Sequence, residues 1–326
     1  MKVLIVSNEY TKPGRIGNPI IGRIMNSLSQ HAEVGSVSFC PFRNKLSSFG
    51  EIRRAARQAD IVHIQFGGLY AFLIWCCLIG VRKPKLLTFH GTDIHAGELK
   101  TTTKQLSRIR IRLNQKASFA SIIAFDRLGF VTDAMLPFVP SWLRKHYAGK
   151  LFIQPLGVDY SVFQPESVET ACQTLGIPAD RYILFSDKSN TTLKRRDLAE
   201  AIVRELGNDY KLLIMCGVSP DIVPHYLNAS QFVLLTSDEE GSPNISREAM
   251  ALDKRVFSVE VGDMRQQLQG LSDSAIISRE PAQAAETIRQ HLSQPYTDNT
   301  REARRTVLDF NCLADGLVNI YRQLLS

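Results

Sequence analysis

The chain alternates short apolar runs with stretches in which apolar residues recur every three or four positions. The run VLIVS (3–7) is continuously apolar and closes on a polar residue, as a strand buried on both faces of a parallel sheet does. A loop with glycine and proline follows (TKPGRIGNP). Ile21, Ile24, Met25 and Leu28 then take helical spacing over about 20–31. The alternation continues through VGSVSF, a helix around 52–58, a strand over 61–66 (IVHIQF), an apolar helix near 69–80 and a strand over 86–90 (LLTFH). SIIAF and LGFVT supply further short apolar runs.

The character changes at LFIQPLGVDYSVFQP (151–165), where two prolines bracket a Gly-Val-Asp turn, and a crossover between domains is expected there. The alternation then restarts. It gives a strand over 182–186 (YILFS), a helix over 197–206, KLLIMCG, a helix over 223–229, QFVLLTS, a helix over 246–251, RVFSVEV and a last pair of helices. The closing stretch 301–325 places Val307, Phe310, Leu313, Leu317, Ile320 and Leu324 at helical spacing, and this long helix is a candidate to pack back on the first half. Strands alternating with helices over short connections predict parallel α/β sheets, here in two halves of similar size.

Length and composition agree with that division. A chain of 326 residues is long enough for two domains with separate cores. The 44% hydrophobic and 22% charged fractions are those of an ordinary globular protein. The opening MKVLIVSNEY reads as a first strand, because its apolar run is too short for a signal peptide. The apolar stretch LYAFLIWCCLIG has 12 residues, against the roughly 20 needed to span a bilayer, and predicts a buried helix. The six cysteines are scattered without a C-x-x-C pair, so buried free thiols in a reducing compartment are expected. A net charge of +7 permits nucleic acid, anionic lipid or phosphorylated small molecules as partners and selects none of them. The charge is dense at Arg108, Arg110, Arg112 and Lys116, and again at Arg144, Lys145, His146 and Lys150. Both clusters fit a solvated face as well as an anionic surface.

The segment QFVLLTSDEEGSPNISRE (231–248) carries the most chemistry. A strand ends near Thr236, an acidic loop and Gly241, Ser242, Pro243 and Asn244 follow, and a helix opens near Ile245. A small-residue turn before a helix N-terminus lets backbone N–H groups and the helix dipole meet a phosphate. Glu240 before the turn and Glu248 inside the helix flank that cradle, and carboxylates accept hydrogen bonds from sugar hydroxyls strongly.

EGSPNISREAMA resembles the E-x7-E segment of the retaining glycosyltransferases of family 4, which have the GT-B fold. Other pieces fall in the family's order: LLTFHGTD is similar to its His-Gly segment, PLGVDYSVFQP to its inter-domain Gly-Val-Asp segment, and RVFSVEVGD to its strand and glycine loop. The resemblance implies two Rossmann-like domains facing a central cleft, over 1–155 on the acceptor side and 156–305 on the donor side, with 306–326 crossing back to the first. It implies that Glu240 contacts hydroxyls of the transferred sugar, Glu248 the ribose, and the backbone of Ser242, Pro243 and Asn244 the diphosphate. His90 takes the reacting face. Lys194, just before a helix start, matches the family's diphosphate-clamping lysine. The Gly-Arg that normally precedes it is absent from FSDKSNTTLKRRD, and either Lys188 or Arg195 can supply the second charge. Gly17 in the first loop is the candidate for close approach to the diphosphate, with Gly14 second. Gly14 and Gly17 do not fit G-x-G-x-x-G, which argues against a dinucleotide dehydrogenase.

The resemblance thus implies a retaining, metal-independent transfer from a nucleoside diphosphate sugar to a glycan or lipid-linked acceptor, in cell-surface polysaccharide or glycoconjugate synthesis. No cofactor and no nucleic acid are expected. The location expected is the cytoplasm, with Arg108, Arg110, Arg112 and Lys116 as a candidate contact to an anionic membrane. Two other readings remain at this stage: a nucleotide-sugar epimerase of related fold, and a catalytically silent GT-B subunit supporting a partner enzyme.

Overall fold

The computed structural model describes residues 1–7, 19–42, 46–91, 93–94, 105–187, 192–294 and 310–326. The chain divides into two compact units, Met1–Leu156 with Phe310–Ser326, and Gly157–Asp309.

The first unit holds strands β1 (Lys2–Ser7), β2 (Ser36–Pro41), β3 (Ile61–Gln65), β4 (Lys85–Phe89), β5 (Arg127–Phe130) and β6 (Leu151–Ile153). Its helices are α1 (Pro19–Gln30), α2 (Leu46–Gln58), α3 (Leu69–Cys77), α4 (Gln105–Ala124) and α5 (Ser141–His146), together with the C-terminal helix Phe310–Leu325. The strands form one parallel sheet in the order β2-β1-β3-β4-β5-β6. Helices on both faces explain why β1 reads as a nearly continuous apolar run and why all five residues of β3 are buried. The C-terminal helix lays Leu313, Ala314, Leu317, Val318 and Tyr321 against Val3, Ile5, Ile21, Leu28 and Ile61 in one shared core.

The second unit holds β7 (Tyr182–Ser186), β8 (Lys211–Met215), β9 (Ser230–Leu235), β10 (Arg255–Val259) and β11 (Ala275–Ile277). Its helices are α6 (Val168–Leu175), α7 (Arg196–Leu206), α8 (Val223–Ala229), α9 (Asn244–Ala251), α10 (Met264–Gln267) and α11 (Pro281–Leu292). This sheet is also parallel, in the order β11-β10-β9-β7-β8. Helix α7 shows why the local sequence folds as it does. Leu198, Ala199, Ile202 and Leu206 make one buried stripe, and Gly207 ends the helix at φ 100°.

Both sheets reverse direction of winding beside their first strand, between β1 and β3 and between β7 and β9. Ligands of open α/β sheets bind outside the carboxyl ends of strands at such a switch point. In the second unit those ends lead into the loops carrying Lys194 and Glu240.

Three expectations are corrected. The helix at α3 is not a buried one: Leu69 and Leu73 are exposed, as is Ile79 just beyond it, because packing covers one side of it. SIIAF is not a separate element but the end of α4, whose Ala117, Ser118, Ser121 and Ile122 form its buried side. The free cysteines are not uniformly buried either, since Cys216 lies exposed past the end of β8.

Candidate functional site

The loops after β7 and β9 are tied together. The Thr236 hydroxyl contacts the carbonyls of Lys194 and Arg195, each at 2.9 Å, and the Asp238 amide donates to the Leu193 carbonyl at 2.8 Å. This brings the Lys194 ammonium onto Oε1 of Glu240, which also accepts from the Ser237 hydroxyl at 2.8 Å. The two side chains are 25% and 16% exposed, so the pair stays within reach of solvent.

Arg195 occupies the N-cap of α7 in the left-handed region (φ 51°). Its guanidinium grips Asp197 at 2.8 and 3.0 Å and reaches Asp238 at 3.4 Å. Those carboxylates raise its already high pKa further, Asp197 most. Arg279, from the turn between β11 and α11, binds Asp238 at 2.8 Å and the Ser237 carbonyl at 3.0 Å.

The turn into α9 is braced from below. The Ser242 hydroxyl donates to Oδ2 of Asp263 at 2.5 Å, and Arg247 reaches the same oxygen at 2.8 Å. Arg247 and Asp263 are both 5% exposed; burial pulls the arginine's pKa down and Asp263 opposes the shift. A Cβ on Gly262 would stand 2.5 Å from the Gly241 carbonyl oxygen, so only glycine lets the β10–α10 loop approach this turn. Pro243 is the N-cap of α9, and its side chain makes no capping hydrogen bond. With Ser242 turned to Asp263, the backbone and helix N-terminus are the groups left to meet an anion. Glu248 lies buried on α9.

In the first unit, His90 follows β4. Its amide donates to both oxygens of Asp93 at 3.1 Å, and the same carboxylate accepts from the amides of Gly91 at 2.8 Å and Gly67 at 2.7 Å. Burial raises the Asp93 pKa, and these backbone donors act against it. The His90 ring lies 4.2 Å from the ring of Phe66, whose φ of 70° turns the chain at the end of β3. Burial pushes the His90 imidazole down to about 3, so it is neutral at ordinary pH. Nε2 is 2.8 Å from Oε1 of Gln65, and Nδ1 is enclosed with no partner among the described residues.

Solved structures share this architecture. A sucrose-phosphate synthase from Thermosynechococcus elongatus superposes with a TM-score of 0.69 at 16% identity, covering 99% of each chain. Anabaena Alr3699/HepE in complex with UDP-glucose gives 0.69 at 13% identity, over 99% of this chain and 100% of that one. An α,α-trehalose-phosphate synthase (UDP-forming) from Burkholderia vietnamiensis gives 0.68 at 13% identity, over 99% and 98%. The fold is that of the GT-B glycosyltransferases. No protein-family model matches the sequence, and no curated protein matches it either.

Within that GT-B fold, the structure brings Lys194, Glu240, Ser242, Pro243, Asn244 and Glu248 to one end of the second sheet, with Arg195 beside them on its two carboxylates. His90 belongs to the other unit. Gly17, Gly14 and Lys188 lie outside the described residues. Sequence reasoning missed Arg279, Arg247 and the Asp238 and Asp263 carboxylates that hold the turn. Their partners are 16 to 43 residues away, beyond any local spacing signal. Among the described residues, no group of three or more His, Cys, Asp or Glu side chains is placed to hold a metal ion.

Proposed function

We propose that the chain transfers a sugar from a nucleoside diphosphate sugar to an acceptor hydroxyl. One observation carries the reading: at the switch point of the second sheet, Lys194 meets Glu240 just before the helix N-terminus at Pro243, and Glu248 lies one turn into that helix. The helix N-terminus and Lys194 suit a diphosphate, and they oppose the charge that builds on it as the glycosidic bond breaks. Glu240 accepts from hydroxyls of the sugar and Glu248 from the ribose. Arg195, held by Asp197 and Asp238, is less free to swing onto phosphate than Lys194.

The reading includes retention of configuration without a metal, the leaving diphosphate taking the acceptor's proton. Activity that EDTA abolishes and magnesium restores would contradict that part. Uridine diphosphate sugars are the first donors to test, because Alr3699/HepE is seen with UDP and with UDP-glucose. The acceptor is a glycan or lipid-linked sugar, and the pathway is cell-surface polysaccharide or glycoconjugate synthesis.

A cytoplasmic enzyme resting on the membrane is part of the same proposal. Leu106, Ile109 and Leu113 are exposed along α4, and Arg110, Arg112 and Lys116 are exposed beside them. No described helix is long and apolar enough to cross a membrane. Each cation near an anionic surface contributes about 1 kcal/mol. Co-sedimentation with anionic vesicles that falls with salt supports this contact, and equal sedimentation with neutral vesicles contradicts it.

The whole proposal is tested by donor hydrolysis or transfer by the purified chain. Loss of that activity in Glu240→Ala supports it. A chain that binds donor and never turns it over is a silent subunit.

A further inference from the structure

Strand β3 carries two polar side chains, His63 and Gln65, inside a stretch where all five residues are buried. Groups so placed need partners, and theirs form a line. His63 Nδ1 is 2.6 Å from the hydroxyl of Tyr321 on the C-terminal helix. His63 Nε2 is 2.8 Å from Nε2 of Gln65 and 2.8 Å from the Thr88 hydroxyl. Oε1 of Gln65 is 2.8 Å from His90 Nε2. His63 and Tyr321 are 1% and 0% exposed, so water is kept from the line.

We infer that Tyr321, His63 and Gln65 form a buried relay that sets which ring nitrogen of His90 carries its proton. A neutral imidazole has one N–H and one bare nitrogen, and an amide has one donating and one accepting end. The links are therefore correlated. Gln65 accepts from His90 Nε2–H, so its amide N–H₂ donates to His63 Nε2, and His63 must carry its proton on Nδ1 toward Tyr321. His90 is left with a bare Nδ1. The enclosed position of that nitrogen agrees, since a buried N–H without an acceptor costs about 1–3 kcal/mol. The burial that drives both imidazoles down to about 3 keeps them neutral, as the relay requires.

Tyr321, His63 and Gln65 are thus positioning residues: they act on His90 and need not touch any substrate. Its use in presenting an acceptor nitrogen to a sugar or phosphate group rests on the proposed glycosyl transfer. The relay itself does not, so its test is independent of activity.

The experiment is two-bond ¹H–¹⁵N correlation on the full chain labelled at histidine, with His63→Gln and His90→Gln to assign the signals. The wild type should show opposite tautomers, Nδ1–H for His63 and Nε2–H for His90. Gln65→Glu replaces the amide by a carboxylate that accepts from both rings, so His63 should switch to Nε2–H, with the Tyr321 hydroxyl turned to donate to its Nδ1, while His90 stays. Equal tautomers in the wild type overturn the inference. A His63 signal unchanged in Gln65→Glu overturns the relay.

Discussion

The Lys194 ammonium rests on the Glu240 carboxylate, joining the loop after β7 to the loop after β9 at the switch point of the second sheet. The pair is part-exposed, and exposed ion pairs contribute about 0–1 kcal/mol to stability. Its value lies in function under the present account. Lys194→Ala should therefore leave the urea midpoint nearly unchanged and weaken nucleoside diphosphate binding by about tenfold or more, as loss of a charge-assisted hydrogen bond does. Titration calorimetry with a nucleoside diphosphate measures the second effect. A large stability loss with unchanged binding would make the pair structural.

The turn between Glu240 and Pro243 depends on the neighbouring glycine. At Gly262, φ is +54° and an added Cβ meets the Gly241 and Glu240 carbonyl oxygens at 2.5 and 3.1 Å. Gly262→Ala should cost about 1–3 kcal/mol from strain and displace the turn. Chemical denaturation should show the loss, and donor affinity should fall with it. An unchanged midpoint would mean the loop has room that the geometry denies.

The Arg247–Asp263 pair behaves differently from Lys194–Glu240, because both partners are buried. Removing one partner of a buried pair strands the other charge, at about 3–5 kcal/mol. Asp263→Ala should thus be among the most destabilising single changes in the second unit, measured by urea unfolding. A loss under about 1 kcal/mol would show that Arg247 finds other support.

His63 supplies a pH dependence. Its folded-state pKa is lowered from 6.5 to about 3 by burial, with a further push from His90. Below about pH 6.5 the unfolded chain takes up a proton that the folded chain refuses. Stability is full above that pH and is lost as the pH falls toward 3, by up to about 1.4 kcal/mol per unit. His90 is shifted in the same direction and adds to the loss. Urea unfolding at pH 7 and pH 5 should show the decline, and His63→Gln should shrink it. An equal decline in His63→Gln would contradict the assignment.

Much of the fold is legible in the sequence because parallel strands are buried on both faces. Runs such as VLIVS and YILFS match β1 and β7 to within a residue. Strand β11 was not legible, since three residues carry no period. Helix α4 was hidden because Arg108, Arg110 and Arg112 alternate with isoleucines, and its burial is confined to the later turns. At the candidate site, Glu240 and Glu248 could be found from the strand-turn-helix pattern. The Arg279–Asp238 and Arg247–Asp263 pairs could not, because their partners stand 41 and 16 residues apart, beyond any local spacing. His63 and Gln65 read simply as interruptions of an apolar run. Their meaning depends on Tyr321, 258 residues beyond His63.

The central claim is that the segment bearing Glu240 and Glu248 binds a sugar nucleotide, and a thermal-unfolding panel of nucleoside diphosphate sugars tests it most directly. A bound donor at a hundred times its dissociation constant should add about 2.7 kcal/mol to the wild type. Glu240→Gln and Glu248→Gln should fold and lose most of that gain. A panel in which no donor raises the transition, or in which both variants keep the full gain, would contradict the account.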